Sequence, residues 1–167
     1  MSDIEIRKVQ EGVIETLKAD PSQGYGTGVL EASISDGMVC EVSDGTTSTV
    51  IDMPKTFGGT AKGPTPGFHA RAAVAACVAI GIKSTAVRSG LVLDEINVRV
   101  EMDFDDGAVF ELGDNTAAPT KTRIAIDLKT NHSHEEVAPV IDRALEADPF
   151  FLALRDPQKV ETDLRIV

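Results

Sequence analysis

The sequence is poor in cysteine and in basic residues. Its two cysteines, Cys40 and Cys77, are too few among 167 residues for the disulfide framework of a small secreted protein. The 16 lysines and arginines are outnumbered by 27 aspartates and glutamates, so the formal net charge is −11. Because nucleic acids and anionic membrane surfaces attract basic protein surfaces, we expect neither as a partner.

Long apolar runs are also missing. The longest run, residues 72–82, has 11 residues, whereas a membrane-spanning helix needs about 20. The first residues, 1–5, lack the basic and apolar regions of a secretory signal. These absences predict a cytoplasmic protein in which the apolar run is a buried core helix. With 42% hydrophobic residues and no internal repeat, the chain is predicted to form a single domain over residues 1–167.

Helical periodicity and capping residues predict three main helices. Apolar residues at spacings of three and four make residues 1–20 an amphipathic helix. Thr65 as N-cap and Gly90 as a left-handed stop bound a long central helix over residues 66–89. A capping box that starts at Ser133 opens the third helix.

Alternating apolar residues predict strands in two groups and one closing strand. The predicted strands cover residues 29–34, 38–42, 46–53, 96–102, 121–129 and 160–166, with tight turns at Asp36-Gly37 and Asp44-Gly45 and a polar loop at 106–120. The order of helix, three strands, long helix, strands, helix and strand differs from the regular alternation of a doubly wound sheet. It predicts an α+β fold.

The motifs around the central helix resemble the signature of the OsmC/Ohr family. They are Gly58-Gly59, Gly63-Pro64-Thr65-Pro66 and Ala75-Ala76-Cys77, followed later by Asp148-Pro149 and Leu154-Arg155-Asp156-Pro157. The resemblance implies an OsmC-like fold, in which two antiparallel sheets surround the long central helix. It also implies an intertwined homodimer with active sites at the dimer interface.

Cys77 stands where this family carries its peroxidatic cysteine. Well-studied members reduce organic hydroperoxides with that thiol, a resolving cysteine in the second Cys-Pro, an arginine and a glutamate. Here Asp148 occupies the place of the resolving cysteine and Gly67 that of the glutamate, and no arginine lies between residues 8 and 71. Fold alone does not fix function, so two readings stay open. One is a one-cysteine, thiol-dependent hydroperoxide reductase in oxidative-stress defence, with an external thiol as reductant; the other is a non-peroxidase that binds a small apolar ligand at the dimer interface.

The residues around Cys77 do not by themselves explain an activated thiol. A cysteine among alanines and valines often acts as a small hydrophobe, and Cys77 is too far along its helix to gain from the helix dipole. His69 and Arg71 are the candidate supporting groups. At 100° per residue, His69 lies about 80° around the helix from Cys77 and two turns away, while Arg71 points elsewhere. A group from a partner chain could instead meet the thiol.

The remaining candidates are predicted to be structural. Cys40 sits in an alternating strand with no motif around it. His132 and His134 form an H-x-H pair, but no third ligand has a fitting spacing. The glycine-rich loop at residues 58–63 lacks the spacing of a phosphate-binding loop. We therefore predict no metal and no cofactor.

Overall fold

A computed structural model of the chain describes residues 1–166, which divide into two compact units. The first unit contains residues 1–73 and 101–122, and the second contains residues 74–100 and those from Arg123 onward. The helices and strands, in chain order, are α1 (Asp3–Ala19), β1 (Glu31–Ile34), β2 (Cys40–Ser43), β3 (Ser48–Ile51), α2 (Pro66–Ser89), β4 (Glu95–Asp103), α3 (Asp106–Val109), β5 (Lys121–Lys129), α4 (His134–Glu146) and α5 (Pro149–Arg155). Two small antiparallel sheets and one long helix confirm the predicted α+β class. That the chain is one domain stays a prediction.

Helix α1 forms where its periodicity predicts, but it buries no residue. Its start is fixed by a capping box, in which the Glu5 N–H donates to Ser2 Oγ at 3.3 Å and the Ser2 N–H donates to Glu5 Oε2 at 2.6 Å. Most of its apolar side chains are exposed, Ile4 to 81%. An amphipathic helix normally covers its apolar face, so α1 has an apolar face that no residue of 1–166 covers fully.

The first unit contains a three-stranded antiparallel sheet in the order β1-β2-β3. Cys40 pairs with Ile34 on one side and Ile51 on the other. The predicted turns are present, and Gly37 and Gly45 adopt φ values of 57° and 90°, a region that favours glycine. The sheet therefore follows the sequence pattern, with strands a few residues shorter than predicted.

A buried aspartate, Asp52, organises the loop between this sheet and α2. Its side chain is 1% exposed and accepts hydrogen bonds from the Thr60 N–H at 3.0 Å, the Thr60 hydroxyl at 2.7 Å, the Lys62 N–H at 3.0 Å and the Met53 N–H at 2.7 Å. These bonds lower the pKa of Asp52 to about 2, the largest contribution coming from Lys62. The loop's backbone donors thus bind a carboxylate of the same chain.

Two glycines let this loop pass close to the backbone of the sheet. A Cβ atom on Gly59 would lie 1.9 Å from the Met53 carbonyl oxygen, and one on Gly63 would lie 2.1 Å from the Val50 carbonyl oxygen. Both distances are well inside van der Waals contact with backbone atoms that have little room to move. Glycine is therefore required at both positions for packing.

Helix α2 has the bounds that its capping residues predict. Thr65 Oγ1 accepts the Phe68 N–H at 3.2 Å, and after Ser89 the chain reverses at Gly90, whose φ is 78°. By length and composition alone α2 could cross a membrane, a test that the core helix of a soluble protein also passes. One face is buried, at intervals of four residues: Val74, Val78, Ile82 and Ala86.

The second unit builds its core from that face of α2 together with the following segments. Its other buried apolar residues are Val87, Leu93, Val137, Val140 and Ala144. The Ser133 capping box is present at the start of α4. His132 Nε2 accepts the Val92 N–H at 3.1 Å, so this ring already has a structural partner.

The predicted closing strand is wrong. Residues 156–166 form neither helix nor strand, and Val160, Leu164 and Ile166 are 81%, 86% and 93% exposed. An alternating segment becomes a strand only when a neighbouring strand takes up its backbone hydrogen bonds, and none does so within residues 1–166. The predicted loop at residues 106–120 also differs, since it begins with the single-turn helix α3.

We predict that Asp52 makes the stability of the folded chain pH-dependent in the acidic range. Because its pKa is lower in the folded chain than in the unfolded one, its contribution is complete above pH 3.8 and is lost as the pH falls towards about 2. Asp52→Asn should lower the melting temperature at pH 7 and flatten its pH dependence between pH 4 and 2. Asp127→Asn, which removes an exposed carboxylate from β5, is the control. Melting followed by circular dichroism checks this, and equal acid sensitivity of all three proteins would contradict it.

Candidate active site around Cys77

Cys77 lies about three turns into α2, at the edge of the buried face. Its thiol is free and half-buried, and the next residue, Val78, is 1% exposed. The helix fixes the direction of the side chain, since both neighbouring turns belong to one continuous helix. Cys77 therefore stands on a rigid element and is only partly covered.

The residue that meets Cys77 is Asp148, the N-cap of α5. Asp148 Oδ1 accepts the Phe151 N–H at 2.7 Å and holds the first turn of α5 in place. The side chain is 3% exposed, and its second oxygen, Oδ2, is buried without a hydrogen-bond partner within residues 1–166. The site thus contains a carboxylate with one engaged oxygen and one that has no donor.

The Asp148 carboxylate lies against α2 at Gly81. A Cβ atom at Gly81 would lie 3.4 Å from Asp148 Oδ2, at the limit of ordinary contact. Because Gly81 is four residues after Cys77, both lie on the same face of α2. The unpartnered oxygen is therefore directed at the face of α2 that carries the thiol.

Three effects set the acidity of Cys77, and their sum raises its pKa. Burial is the largest, because it disfavours the charged thiolate. The neighbouring Asp148 carboxylate raises the pKa further, because it favours the protonated thiol and its negative charge repels the thiolate. The Phe150 N–H at the start of α5 acts in the opposite direction, since it stabilises the thiolate. At neutral pH the site therefore holds a protonated thiol beside a carboxylate.

This arrangement limits the chemistry that the site can perform. A thiol reacts as a nucleophile in its thiolate form, so Cys77 must lose its proton before or during attack. The groups that shift its acidity include no cation among the described residues. Asp148 can accept a proton but cannot form a disulfide, so an oxidised Cys77 has no second thiol at this position.

The two predicted supporting residues lie earlier on α2. His69 is half-buried, packs edge-on against the Phe68 ring at 5.6 Å between centroids, and its Nε2 is buried without a hydrogen-bond partner within residues 1–166. Arg71 is half-buried as well. Along the helix, His69 precedes Cys77 by eight residues, about 12 Å at 1.5 Å per residue. Their role in the site stays a prediction.

The other candidates do not form a second site. Cys40 is half-buried on β2, between its two partner strands. Within residues 1–166, no three histidine, cysteine, aspartate or glutamate side chains are grouped so that they could hold a metal ion. The glycine-rich loop directs its donors at Asp52.

Sequence reasoning missed the roles of two residues. It identified Asp148 as the residue in place of the resolving cysteine, but it did not place the carboxylate beside Cys77. The family motif could have predicted this contact, because a resolving cysteine must come within disulfide distance of the first thiol. Asp52 had no comparable signal, since its partners are backbone groups of a loop eight to ten residues later.

A family model described as OsmC-like protein matches residues 59–163, a range that contains Cys77 and Asp148. No curated protein matches the sequence.

Solved structures show the same fold at low sequence identity. An OsmC-like protein from Mycoplasma pneumoniae is 15% identical with a TM-score of 0.67, and the match covers 78% of this chain and 88% of that one. An organic hydroperoxide resistance protein from Legionella pneumophila is 22% identical with a TM-score of 0.53, covering 78% and 90%. Another, from Elizabethkingia anophelis, is 16% identical with a TM-score of 0.55, covering 78% and 89%. At these identities the likeness confirms the OsmC-like fold alone.

We predict that Cys77 reacts slowly with thiol reagents at neutral pH. Its raised pKa keeps it protonated, and its half-buried position hinders bulky reagents. Alkylation by iodoacetamide should therefore be slower at pH 7 than for an unstructured peptide with the same residues, and should rise at higher pH. Mass spectrometry of the peptide that contains Cys77 gives the rate. Rapid, complete labelling of the native protein by a bulky maleimide at pH 7 would contradict the described site.

Proposed function

The chain belongs to the OsmC-like protein family, and we propose that it is a one-cysteine, thiol-dependent hydroperoxide reductase in oxidative-stress defence, with Cys77 as the reacting thiol. The observation that carries the proposal is the position of Cys77 on α2 beside the first turn of α5, with Asp148 as its neighbour. Two of the matched structures are named as organic hydroperoxide resistance proteins, which supports this class of substrate.

The first step would oxidise Cys77 and reduce the hydroperoxide. The sulfur attacks the terminal oxygen of R–O–OH, the O–O bond breaks, and Cys77 becomes a sulfenic acid. The leaving alkoxide takes up one proton and departs as the alcohol R–OH. The thiol proton balances this uptake, so no outside acid is consumed.

The second step would need a thiol from outside the chain. Because Asp148 stands where the family carries its resolving cysteine, the sulfenic acid has no partner in its own site. An external thiol condenses with it, releases water and leaves a mixed disulfide, which a second thiol reduces to regenerate Cys77. A small dithiol can supply both sulfurs.

The second candidate function is a non-peroxidase that binds a small apolar ligand at a dimer interface. The raised pKa of Cys77 and the absence of a cation among the groups that shift it favour this reading. In that case Cys77 lines the pocket as a small apolar residue. The two functions differ in whether Cys77 is oxidised by hydroperoxide.

The single domain is proposed to act as an intertwined homodimer in the cytoplasm. Each unit exposes apolar surface among residues 1–166: none of α1 is buried, and Ile80 of α2 is 69% exposed. Ala72, Ala73, Ala75 and Ala76 would allow another helix to approach α2 closely. His69 and Arg71 are proposed supporting groups that a second copy would bring towards Cys77.

We predict weak turnover of cumene or tert-butyl hydroperoxide, dependent on an added dithiol such as dithiothreitol. Loss of positioned activating groups typically costs two or more orders of magnitude in rate, and the glutamate and arginine of the family are missing here. Steady-state peroxide consumption measures the rate. Cys77→Ser should abolish it and Cys40→Ser should leave it unchanged.

The cysteine variants separate the alternatives. Fast consumption that survives Cys77→Ser would remove Cys77 from the mechanism. Fast consumption that requires both cysteines would show that Cys40 is the resolving thiol. If no Cys77 sulfenic acid can be trapped after hydroperoxide exposure, the non-peroxidase reading is favoured.

We predict that the folded protein is an obligate dimer. The exposed apolar faces of α1 and α2 need a partner, so the species in solution should have about twice the 17.7 kDa of one chain, and dilution should couple dissociation to unfolding. Light scattering combined with circular dichroism at micromolar concentration checks this. A stable, fully folded 17.7 kDa species would refute it.

A further inference from the structure

The second carboxylate oxygen of Asp148 has no structural function that the fold explains. Capping α5 engages only Oδ1, through the Phe151 N–H at 2.7 Å, whereas Oδ2 is buried and unpartnered within residues 1–166. A buried carboxylate oxygen without a donor is costly, and an apolar side chain there would avoid that cost. Oδ2 lies against Gly81, one turn from Cys77 on the same face of α2, and Asp148 is close enough to the thiol to act on it.

We propose that Asp148 is the proton carrier of the site: Oδ2 accepts the Cys77 thiol proton during attack and returns it to the departing alkoxide. This inference rests on the proposed reductase function and assigns a role to the residue that stands in place of the second cysteine. In this role Asp148 participates directly in the chemistry, because the proton that it moves belongs to the reacting atoms.

The proton balance of the first step supports this role. Cys77 must lose one proton as the S–O bond forms, and the alkoxide must gain one as the O–O bond breaks. With the thiol protonated at rest, a neighbouring acceptor removes the need for a free thiolate. The same carboxylate then becomes the acid nearest the leaving oxygen, so one residue performs both transfers and ends in its initial state.

Asp148→Asn separates proton transfer from structure. Asparagine is a good N-cap of similar size, so α5 should stay in place, while the negative charge and the proton acceptor are lost. Asp127→Asn, on the exposed side of β5, is the matched control for the loss of one charge. Circular dichroism and the melting temperature confirm that each variant is folded.

Two rates of Cys77 should change in opposite directions. Alkylation by iodoacetamide requires a thiolate and no proton delivery, so Asp148→Asn should make it faster. Single-turnover oxidation by cumene hydroperoxide, followed as trapped sulfenic acid by mass spectrometry, requires protonation of the alkoxide and should become roughly 10²-fold slower. Asp127→Asn should change neither rate.

Any other combination overturns the proton-carrier role. If both rates rise, Asp148 acts only through its charge. If both fall, it acts only by positioning the thiol, and if neither changes, it is a cap of α5 and nothing more. Failure of the reductase function is recognised separately, because the wild-type protein would then form no sulfenic acid at Cys77.

Discussion

The buried carboxylate of Asp148 is the constraint on which the site depends. Its Oδ1 fixes the first turn of α5, and that turn carries the Phe150 N–H that stabilises the Cys77 thiolate. Its negative charge acts in the opposite sense on the same thiol, and its Oδ2 lies against α2 at Gly81. One side chain therefore fixes the local backbone, adds to the effect of burial on the acidity of the cysteine and limits the chemistry that can follow oxidation.

Helix α2 carries Cys77 between a face that is buried in the core and a face that is exposed. Its buried face, at Val74, Val78, Ile82 and Ala86, gives the second unit much of its core and holds Cys77 at the border. Ile80 remains exposed on the same helix, as do most apolar residues of α1. Exposed apolar residues on both helices are consistent with a fold that is complete only as a dimer, as proposed above.

The site was partly predictable from sequence. The order of short motifs identified Cys77 and showed that the second cysteine, the glutamate and an arginine were missing, and the family match agrees with that resemblance. The consequence of Asp148 was not predictable in the same way. Whether an aspartate beside a proline is an exposed helix cap or a buried neighbour of a thiol depends on its burial, 3% exposed here, which no local pattern records.

The sequence by itself determined the elements whose causes are local. The ends of helices could be predicted from Thr65, Gly90 and Ser133, because capping joins groups within a few residues. The hairpin turns could be predicted from Gly37 and Gly45 for the same reason. The closing strand at residues 160–166 was predicted wrongly because a strand needs a distant partner, and alternation shows only that a segment could pair. Tertiary structure alone decided that Asp52 holds the loop before α2 and that Asp148 lies against Cys77. Both depend on burial and on contacts that reach beyond the neighbouring turn, to a loop eight to ten residues away for Asp52 and to a different helix for Asp148, and these arise only when the chain has folded.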